Sequence, residues 1–245
     1  MNAFKAEERT FYRNLITAQD LIPFSLVIKE TDLLILAERH LEEEAKQAVL
    51  HYRFQLEGYI HQHPAFLTSL IPLPLDEYAP PMVQEMMRAA ALAQVGPMAA
   101  VAGAIAEYVG KDLLTSTSQV VVENGGDIFL KVAQNITIGV YAGTSPLSNK
   151  LGLKITPEAS PLGVCTSSGT VGHSLSFGKA DAVTVVARSA SLADAAATAI
   201  GNLVKEIKDI ERGFAYAHST QGILGVLIIV ADKFGAWGDI ELTSL

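Results

Sequence analysis

The chain has one cysteine, Cys165, one tryptophan, and charged side chains on only 18% of its 245 residues. A single cysteine excludes an internal disulfide framework and is typical of a reducing compartment. Low charge together with 49% hydrophobic residues excludes an intrinsically disordered protein. Basic residues are outnumbered, with 18 Lys and Arg against 26 Asp and Glu and a net charge of −8. This acidic balance argues against a nucleic-acid partner, because binding a phosphate backbone requires a surplus of cations.

The sequence also lacks a long hydrophobic run. The longest, Ile223 to Ala231, is about half the ~20 residues of a membrane helix, and its β-branched content predicts a buried strand. The first 15 residues are charged from Lys5 to Arg13 and show no apolar signal-peptide core. We therefore expect a cytoplasmic protein without a membrane partner, organised as a single domain over residues 1–245.

The pattern of apolar residues alternates between helical and strand-like spacing, which predicts an α+β fold. Helices are predicted over 41–63, 82–93, 96–110 and 192–208. Short strands are predicted over 11–16, 23–29, 33–37, 119–123, 127–132, 136–141, 151–155, 163–166, 182–187, 223–231 and 238–242. Two of the helices are rich in alanine, so we expect them to be buried with their backbones close to neighbouring elements.

The order of elements suggests an internal duplication. An alanine-rich helix, strands and the tripeptide Gly126-Asp127-Ile128 occur in the first part of the chain, and the same order ends at Gly238-Asp-Ile240 in the second. This predicts two pseudo-repeated halves, about 1–145 and 146–245. The extensive alanine-rich surface also suggests a homodimer.

The segment that begins at Ser191 carries the first candidate site. Asp194 and Thr198 are four residues apart and share one face of the predicted helix. A carboxylate and a hydroxyl one turn apart suit Mg²⁺, which takes one or two carboxylates and bridges to phosphate oxygens. The alternative is structural: Ser191 and Asp194 match a Ser-x-x-Asp capping pattern, and the spacing alone favours this helix cap.

Two loops provide further candidates. Gly125-Gly126-Asp127 lies between strands, where it predicts either a hairpin turn or a close backbone approach to a ligand. The loop Thr166-Ser167-Ser168-Gly169 offers hydroxyls and backbone amides that could hold phosphate. His173, four residues further on, is a candidate acid–base group or simply a solvated side chain.

Taken together, these segments resemble the ApbE superfamily, the FAD:protein FMN transferases. Asp181 to Ala187 followed by Ser191 to Thr198 resembles the family's strand and its Ala-Asp-Ala…Thr helix. Asn124 to Ile128 resembles its Gly-Gly-Asp-Ile turn, and Val164 to Gly169 with His173 resembles its Thr-Ser-Gly…His segment. The resemblance implies an ApbE-like α+β fold of duplicated α/β units, with mainly antiparallel sheets packed by alanine-rich helices.

The resemblance also implies a site. Asp194, Thr198 and the carbonyl group of Ala197 would bind Mg²⁺ beside FAD, and the cofactor would lie against Gly125, Gly126, Asp127 and residues 166–169. His173 would be the catalytic group. The chain departs from the family in having no lipoprotein signal and no lysine in the segment 96–103, and so resembles the short cytoplasmic branch. We therefore expect either a Mg²⁺-dependent FMN-transferase-type enzyme acting on a flavin nucleotide or related pyrophosphate, or a non-catalytic module that binds a nucleotide or phosphorylated metabolite.

Overall fold

The computed structural model describes residues 16–17, 20–169 and 178–245. These residues form six α-helices and twelve strands in the following order. The helices are α1 (Glu42–Gln62), α2 (Ala65–Thr68), α3 (Pro81–Ala93), α4 (Val101–Leu113), α5 (Ala190–Leu203) and α6 (Ile210–Ser219), with 3-10 turns at Pro97–Ala100 and Ile207–Asp209. The strands are β1 (Ile16–Thr17), β2 (Ile22–Ile28), β3 (Thr31–Ala37), β4 (Val120–Asn124), β5 (Asp127–Lys131), β6 (Ile136–Gly139), β7 (Leu151–Ile155), β8 (Leu162–Ser167), β9 (Ala182–Ala187), β10 (Ile223–Val230), β11 (Lys233–Gly238) and β12 (Glu241–Ser244).

The strands form two antiparallel sheets. The larger sheet has the order β11-β10-β9-β8-β5-β4-β3-β2, and the smaller has the order β1-β6-β7-β12. Every strand pair in the described part of the chain is antiparallel, which confirms the predicted α+β class.

The two halves of the chain use these sheets in the same way. In each half the first and sixth strands pair in the smaller sheet, the other four form one side of the larger sheet, and the helices lie between the third and fourth strands. The duplicated α/β units are therefore visible as topology. The tripeptide marker of the repeat was wrong, because Gly126-Asp127 forms a hairpin in the larger sheet whereas Gly238-Asp239 connects β11 to the smaller sheet. The division at 145/146 stays a prediction.

Two hydrophobic cores lie on opposite faces of the larger sheet. The helices cover one face, where side chains such as Leu33, Val185 and Val226 meet the alanines of α4 and α5. The smaller sheet covers the other face, where Leu130, Val164 and Leu153 are buried together. Alternating residues along each strand therefore enter different cores, as the pleat requires.

Alanine and glycine bring the backbones of α4, α5 and β8 unusually close together. A Cβ added to Gly103 of α4 would lie 2.2 Å from the carbonyl oxygen of Ala190 in α5. A Cβ on Gly163 of β8 would lie 2.3 Å from the Cα of the same alanine. Ala190 is thus enclosed between a helix and a strand at two positions where only glycine fits, which confirms the predicted close packing.

Several element boundaries differ from the prediction. The fourth predicted helix ends at Leu203 rather than at 208, and α2, α6 and β11 were not predicted. The strand predicted over 11–16 lies outside the described residues except at position 16. No single helix in the described ranges is long and apolar enough to cross a bilayer; α3 and the segment Pro97–Leu113 pass that test only as a pair, and the pair is bent by 105°.

Candidate functional site

Helix α5 has a polar strip on an otherwise buried surface. From Ala190 to Gly201 every residue is buried except Asp194 and Thr198, which are partly exposed. Since the two are four residues apart, they lie one turn above each other. The strip is therefore the part of α5 that a ligand can reach.

Asp194 accepts hydrogen bonds from the beginning of another helix. The backbone N–H of Gly103, in the first turn of α4, donates to Asp194 Oδ2 at 2.9 Å. The predicted cap with Ser191 was wrong, because Ser189 is the N-cap of α5 and its hydroxyl accepts from the N–H of Leu192 at 3.4 Å. Asp194 instead lies in the second turn, and its carboxylate stabilises the amino end of α4, where the helix dipole favours negative charge.

A buried acid on α4 forms the reciprocal contact. Glu107, which is 3% exposed, accepts from the hydroxyl of Ser189 at 2.9 Å and from the backbone N–H of Ser191 at 3.2 Å, both at the start of α5. Lys111 also pairs with Glu107 at 2.7 Å. The two helices are thus held together by two carboxylates, each at the amino end of the other helix. We did not predict Glu107, although an acidic residue within the apolar run 98–109 is a signal that it has a buried partner.

The hairpin between β4 and β5 forms the second part of the site. Gly125 and Gly126 have φ of +68° and +104°, so this is the tight two-residue turn predicted from the sequence. Glu123, which is 1% exposed, accepts the N–H of Gly126 at 2.7 Å, so that amide already has a partner. Gly125 is exposed, and a Cβ there would meet no atom within 4 Å. Open space therefore lies beside the turn.

The register of the sheet places three polar side chains next to each other beneath α4 and α5. Asn124 pairs with Asp127, and Asp127 pairs with Cys165 of β8, so all three point to the helix-covered face. Asn124 donates from Nδ2 to the carbonyl oxygen of Ala102 at 3.1 Å, again at the start of α4. The hairpin, β8 and α5 therefore converge on the amino end of one helix. We name Asn124, Asp127, Cys165, Asp194 and the amides of α4 the α4 cluster.

The α4 cluster contains two carboxylates that are difficult to ionise together. Burial raises the pKa of Asp194 to about 7, although the amides of α4 favour its charged form. Burial and the nearby charge of Asp194 raise the pKa of Asp127 well above its usual range, while the neighbouring thiol of Cys165 lowers it. In the described part of the chain, none of the main contributors to either shift is a Lys or Arg side chain. A bound cation would relieve this repulsion.

The end of β8 contributes a buried hydroxyl to the same face. Ser167 lies two residues beyond Cys165 and is 8% exposed, and its Oγ has no hydrogen-bond partner among the residues that the structure describes. Thr166 points to the opposite face, where its hydroxyl lies 2.9 Å from that of Thr184. The side chain of Thr166 therefore faces away from the α4 cluster.

The remaining residues of the predicted phosphate loop lie where the chain leaves the sheet. Ser168 is half-buried, and the N–H of Gly169 donates to the carbonyl oxygen of Ala180 at 2.9 Å. A Cβ on Gly169 would lie 2.5 Å from the carbonyl oxygen of Gly178, so the two ends of the loop are in contact. His173 lies outside the described residues, and its role stays a prediction.

Of the three residues predicted to bind Mg²⁺, the structure leaves two accessible and buries the third. Asp194 and Thr198 lie on the accessible strip, whereas Ala197 is buried within the regular helix, where its carbonyl accepts the N–H four residues later. Within the described ranges no three His, Cys, Asp or Glu side chains are grouped to hold a metal. The donor set still fits Mg²⁺, which binds proteins through one or two carboxylates and completes its shell with water and phosphate oxygens.

Comparisons with known proteins establish the family and the fold of the chain. The family model described as AbpE bacteria matches residues 13–235. The chain belongs to this family. A UPF0280 protein of Methanocaldococcus jannaschii is 43% identical over 221 residues, which cover 88% of this chain and 90% of that protein. A UPF0280 protein of Methanothrix thermoacetophila is 43% identical over 207 residues, covering 83% and 86%.

Solved structures of ApbE proteins have the same fold as this AbpE family member. The flavin transferase ApbE from Vibrio cholerae has a TM-score of 0.58 at 17% identity, over 89% of this chain and 96% of that one. The apo form of the Pseudomonas stutzeri flavinyl transferase ApbE has a TM-score of 0.56 at 14% identity, over 91% and 94%. At these identities the likeness establishes the ApbE-like fold.

Proposed function

We propose that the α4 cluster binds the diphosphate of FAD together with Mg²⁺, and that the protein is a cytoplasmic enzyme of the FMN-transferase type. The observation that carries this proposal is the position of Asp194. It is an acid of raised pKa on the accessible strip of α5, beside a second acid and against the amino end of α4. The flavin transferases that share the fold support the choice of a flavin nucleotide over other diphosphates.

Charge explains why a cation and an anion would bind here together. Two carboxylates repel a diphosphate, so neither Asp127 nor Asp194 is a phosphate ligand by itself. The amino end of α4 attracts anions, because its N–H groups and dipole point toward the cluster. Mg²⁺ held by Asp194 and the hydroxyl of Thr198 would supply charge neutralisation on the phosphates.

Each remaining residue has a definite part in the proposal. The unpartnered hydroxyl of Ser167 would donate to a phosphate oxygen, and the exposed Gly125 leaves room for the ligand beside the hairpin. Burial and the charge of Asp194 raise the pKa of Asp127, so a cation bound nearby would favour its ionised form. His173 would move the proton of the attacking hydroxyl group.

The reaction that follows is the cleavage of one phosphoanhydride bond. An acceptor hydroxyl, or water, attacks the phosphorus of the FMN half of FAD, the bond to the bridging oxygen breaks, and AMP leaves. The acceptor's proton is taken up by the base. Chromatography of FAD incubated with the protein and MgCl₂ tests this directly, because AMP must appear together with free or transferred FMN.

The variants separate enzyme from binding module. We expect His173→Ala to retain FAD binding and lose AMP release, and Asp194→Asn to lose both. If the wild-type protein binds FAD but releases no AMP with water or a hydroxyl acceptor, the non-catalytic module is correct. The α4 cluster itself gives a reason to test that alternative, since none of its side chains is a lysine or histidine. If FAD, FMN and ADP all fail to bind with Mg²⁺, both functions are wrong.

A further inference from the structure

Helix α1 lies at the margin of the molecule and is only half covered. Its inner face packs over β2, the terminal strand of the larger sheet, through residues such as Ala45, Val49 and Leu56. The outer face exposes Phe54 by 79% and Leu50 by 46%. Large apolar side chains that are this exposed and next to each other are typical of an interaction surface.

A glycine continues the same row of side chains. Leu50, Phe54 and Gly58 are spaced four residues apart, so they form one line along α1, which we name the α1 stripe. Glycine inside a helix is destabilising relative to alanine. At Gly58 a Cβ would meet no atom within 4 Å, so no contact within the described chain requires a glycine there. A close approach by a second molecule would require one.

The charges around the stripe are already neutralised. Lys29 pairs with Glu57 at 2.7 Å, and Arg53 pairs with both Glu57 at 2.8 Å and Glu30 at 2.5 Å. Covering the stripe therefore buries complete ion pairs rather than single charges. This local balance permits association between two copies of a chain whose net charge is −8.

Beside the stripe is a groove that a large side chain can enter. It has a volume of about 510 Å³, and its lining combines the apolar side chains of Ile28, Leu50 and Phe54 with polar ones, which are Lys29, Gln47, His51, Arg53 and Glu57. The exposed ring of Phe54 therefore lies next to a cavity large enough for a second phenylalanine. A surface with both a projecting ring and a receiving groove is complementary to itself, which is the condition for a two-fold interface.

We propose that the protein forms a two-fold symmetric homodimer in which the α1 stripes of two copies pack antiparallel. With the axis near Phe54, Leu50 of each copy faces Gly58 of the other, so a large residue lies opposite the smallest one. The Phe54 ring of each copy, close to the axis, enters the groove of the other copy. This interface is separate from the α4 cluster, so a failure of the dimer proposal and a failure of the proposed flavin site are independent of each other.

Sedimentation velocity at micromolar protein concentrations tests the proposal. We expect the wild-type protein to sediment as a dimer, with twice the 26.1 kDa mass of one chain. Phe54→Glu places a charge at the axis, and Gly58→Leu fills the space that Leu50 occupies, so each should weaken the dimer by about 30-fold or more. Tyr78→Glu is the matched control, since Tyr78 is 99% exposed and lies off the stripe, and it should leave the dimer unchanged.

Two results would overturn the proposal. One is a wild-type protein that sediments as a monomer at every concentration. The other is a dimer that persists in Gly58→Leu, whose added side chain projects into open space and so leaves the fold of the monomer intact. Far-UV circular dichroism of each variant verifies that the fold is retained, and if Phe54→Glu unfolds, the Gly58→Leu result decides.

Discussion

Replacing Gly103 by alanine should be strongly destabilising, although alanine is the better helix former. The added Cβ would lie 2.2 Å from the carbonyl oxygen and 2.8 Å from the carbonyl carbon of Ala190, and 2.9 Å from the Cβ of Asp194. The two nearest atoms belong to the backbone, so no change of rotamer can relieve the clash. Helices α4 and α5 would have to separate by about 1 Å to restore an ordinary contact.

The magnitude follows from three effects. Overpacking a core typically costs about 1–3 kcal/mol. Separation of the helices also weakens the hydrogen bond from the N–H of Gly103 to the carboxylate of Asp194, and a bond to a charged group contributes about 1.5–3 kcal/mol. The helix propensity of alanine returns about 1 kcal/mol. We therefore expect Gly103→Ala to lower the free energy of unfolding by about 2–4 kcal/mol.

Urea unfolding followed by far-UV circular dichroism measures this loss. Ala91→Gly, at an exposed position in α3, calibrates the propensity effect without a packing change and should cost about 1 kcal/mol or less. If Gly103→Ala is as stable as the wild-type protein or more stable, α4 and α5 do not cross as closely as described. The contact of the Asp194 side chain, on α5, with the start of α4 would then be wrong as well.

Three other predictions concern the acids. Glu107→Ala should lower the free energy of unfolding by about 3 kcal/mol, because it leaves buried donors at the start of α5 unpaired, whereas Glu43→Ala on the surface should cost less than about 0.5 kcal/mol. Equal losses in urea unfolding would show that Glu107 does not hold α4 and α5 together. Hydrogen bonds from Thr117, Ser118 and Gln119 lower the pKa of Glu38 from 4.5 to about 2. The stabilising effect of Glu38 should therefore be present above pH 4.5 and be lost as the pH falls toward 2. A titration of this carboxyl group by NMR with a midpoint near 4.5 would refute the prediction. The pKa of Asp194 is raised from 3.8 to about 7, so the folded state retains a proton that the unfolded state releases, and the free energy of unfolding should fall as the pH rises from 4 to 7. Asp194→Asn should flatten this pH dependence in unfolding experiments without Mg²⁺. An unchanged pH dependence in the variant would assign it to another group.

Local patterns were sufficient to predict most of the fold. Three features are each determined within a few residues of sequence: the apolar spacing of α1, the start at Pro97 of the segment that leads into α4, and the Gly125-Gly126 turn. Helix α6 and strand β11 were not predicted. The first has only ten residues and contains Gly213, and the second contains Gly235 and lies at the sheet edge, so neither has the long apolar periodicity on which such predictions depend.

The candidate site was predictable only in part, because its geometry depends on contacts between distant segments. The spacing of Asp194 and Thr198 indicated a shared face, but not that Asp194 would stabilise a helix 91 residues earlier in the chain. The pairing of Asp127 with Cys165 arises from the order of strands in the sheet, which a local pattern does not contain. The capping pattern at Ser191 misled because it is a local signal, and Ser189 satisfies the same requirement two residues earlier.

The proposed function requires Mg²⁺ and FAD to bind together at Asp194, and isothermal titration calorimetry with FAD tests this requirement most directly. The wild-type protein should bind FAD with MgCl₂ and lose affinity by about 30-fold or more when EDTA replaces the metal. Asp194→Asn should bind FAD weakly in both conditions, while Asp232→Asn, at an exposed aspartate outside the α4 cluster, should match the wild-type protein. FAD affinity that is unchanged by EDTA and by Asp194→Asn would contradict the central claim.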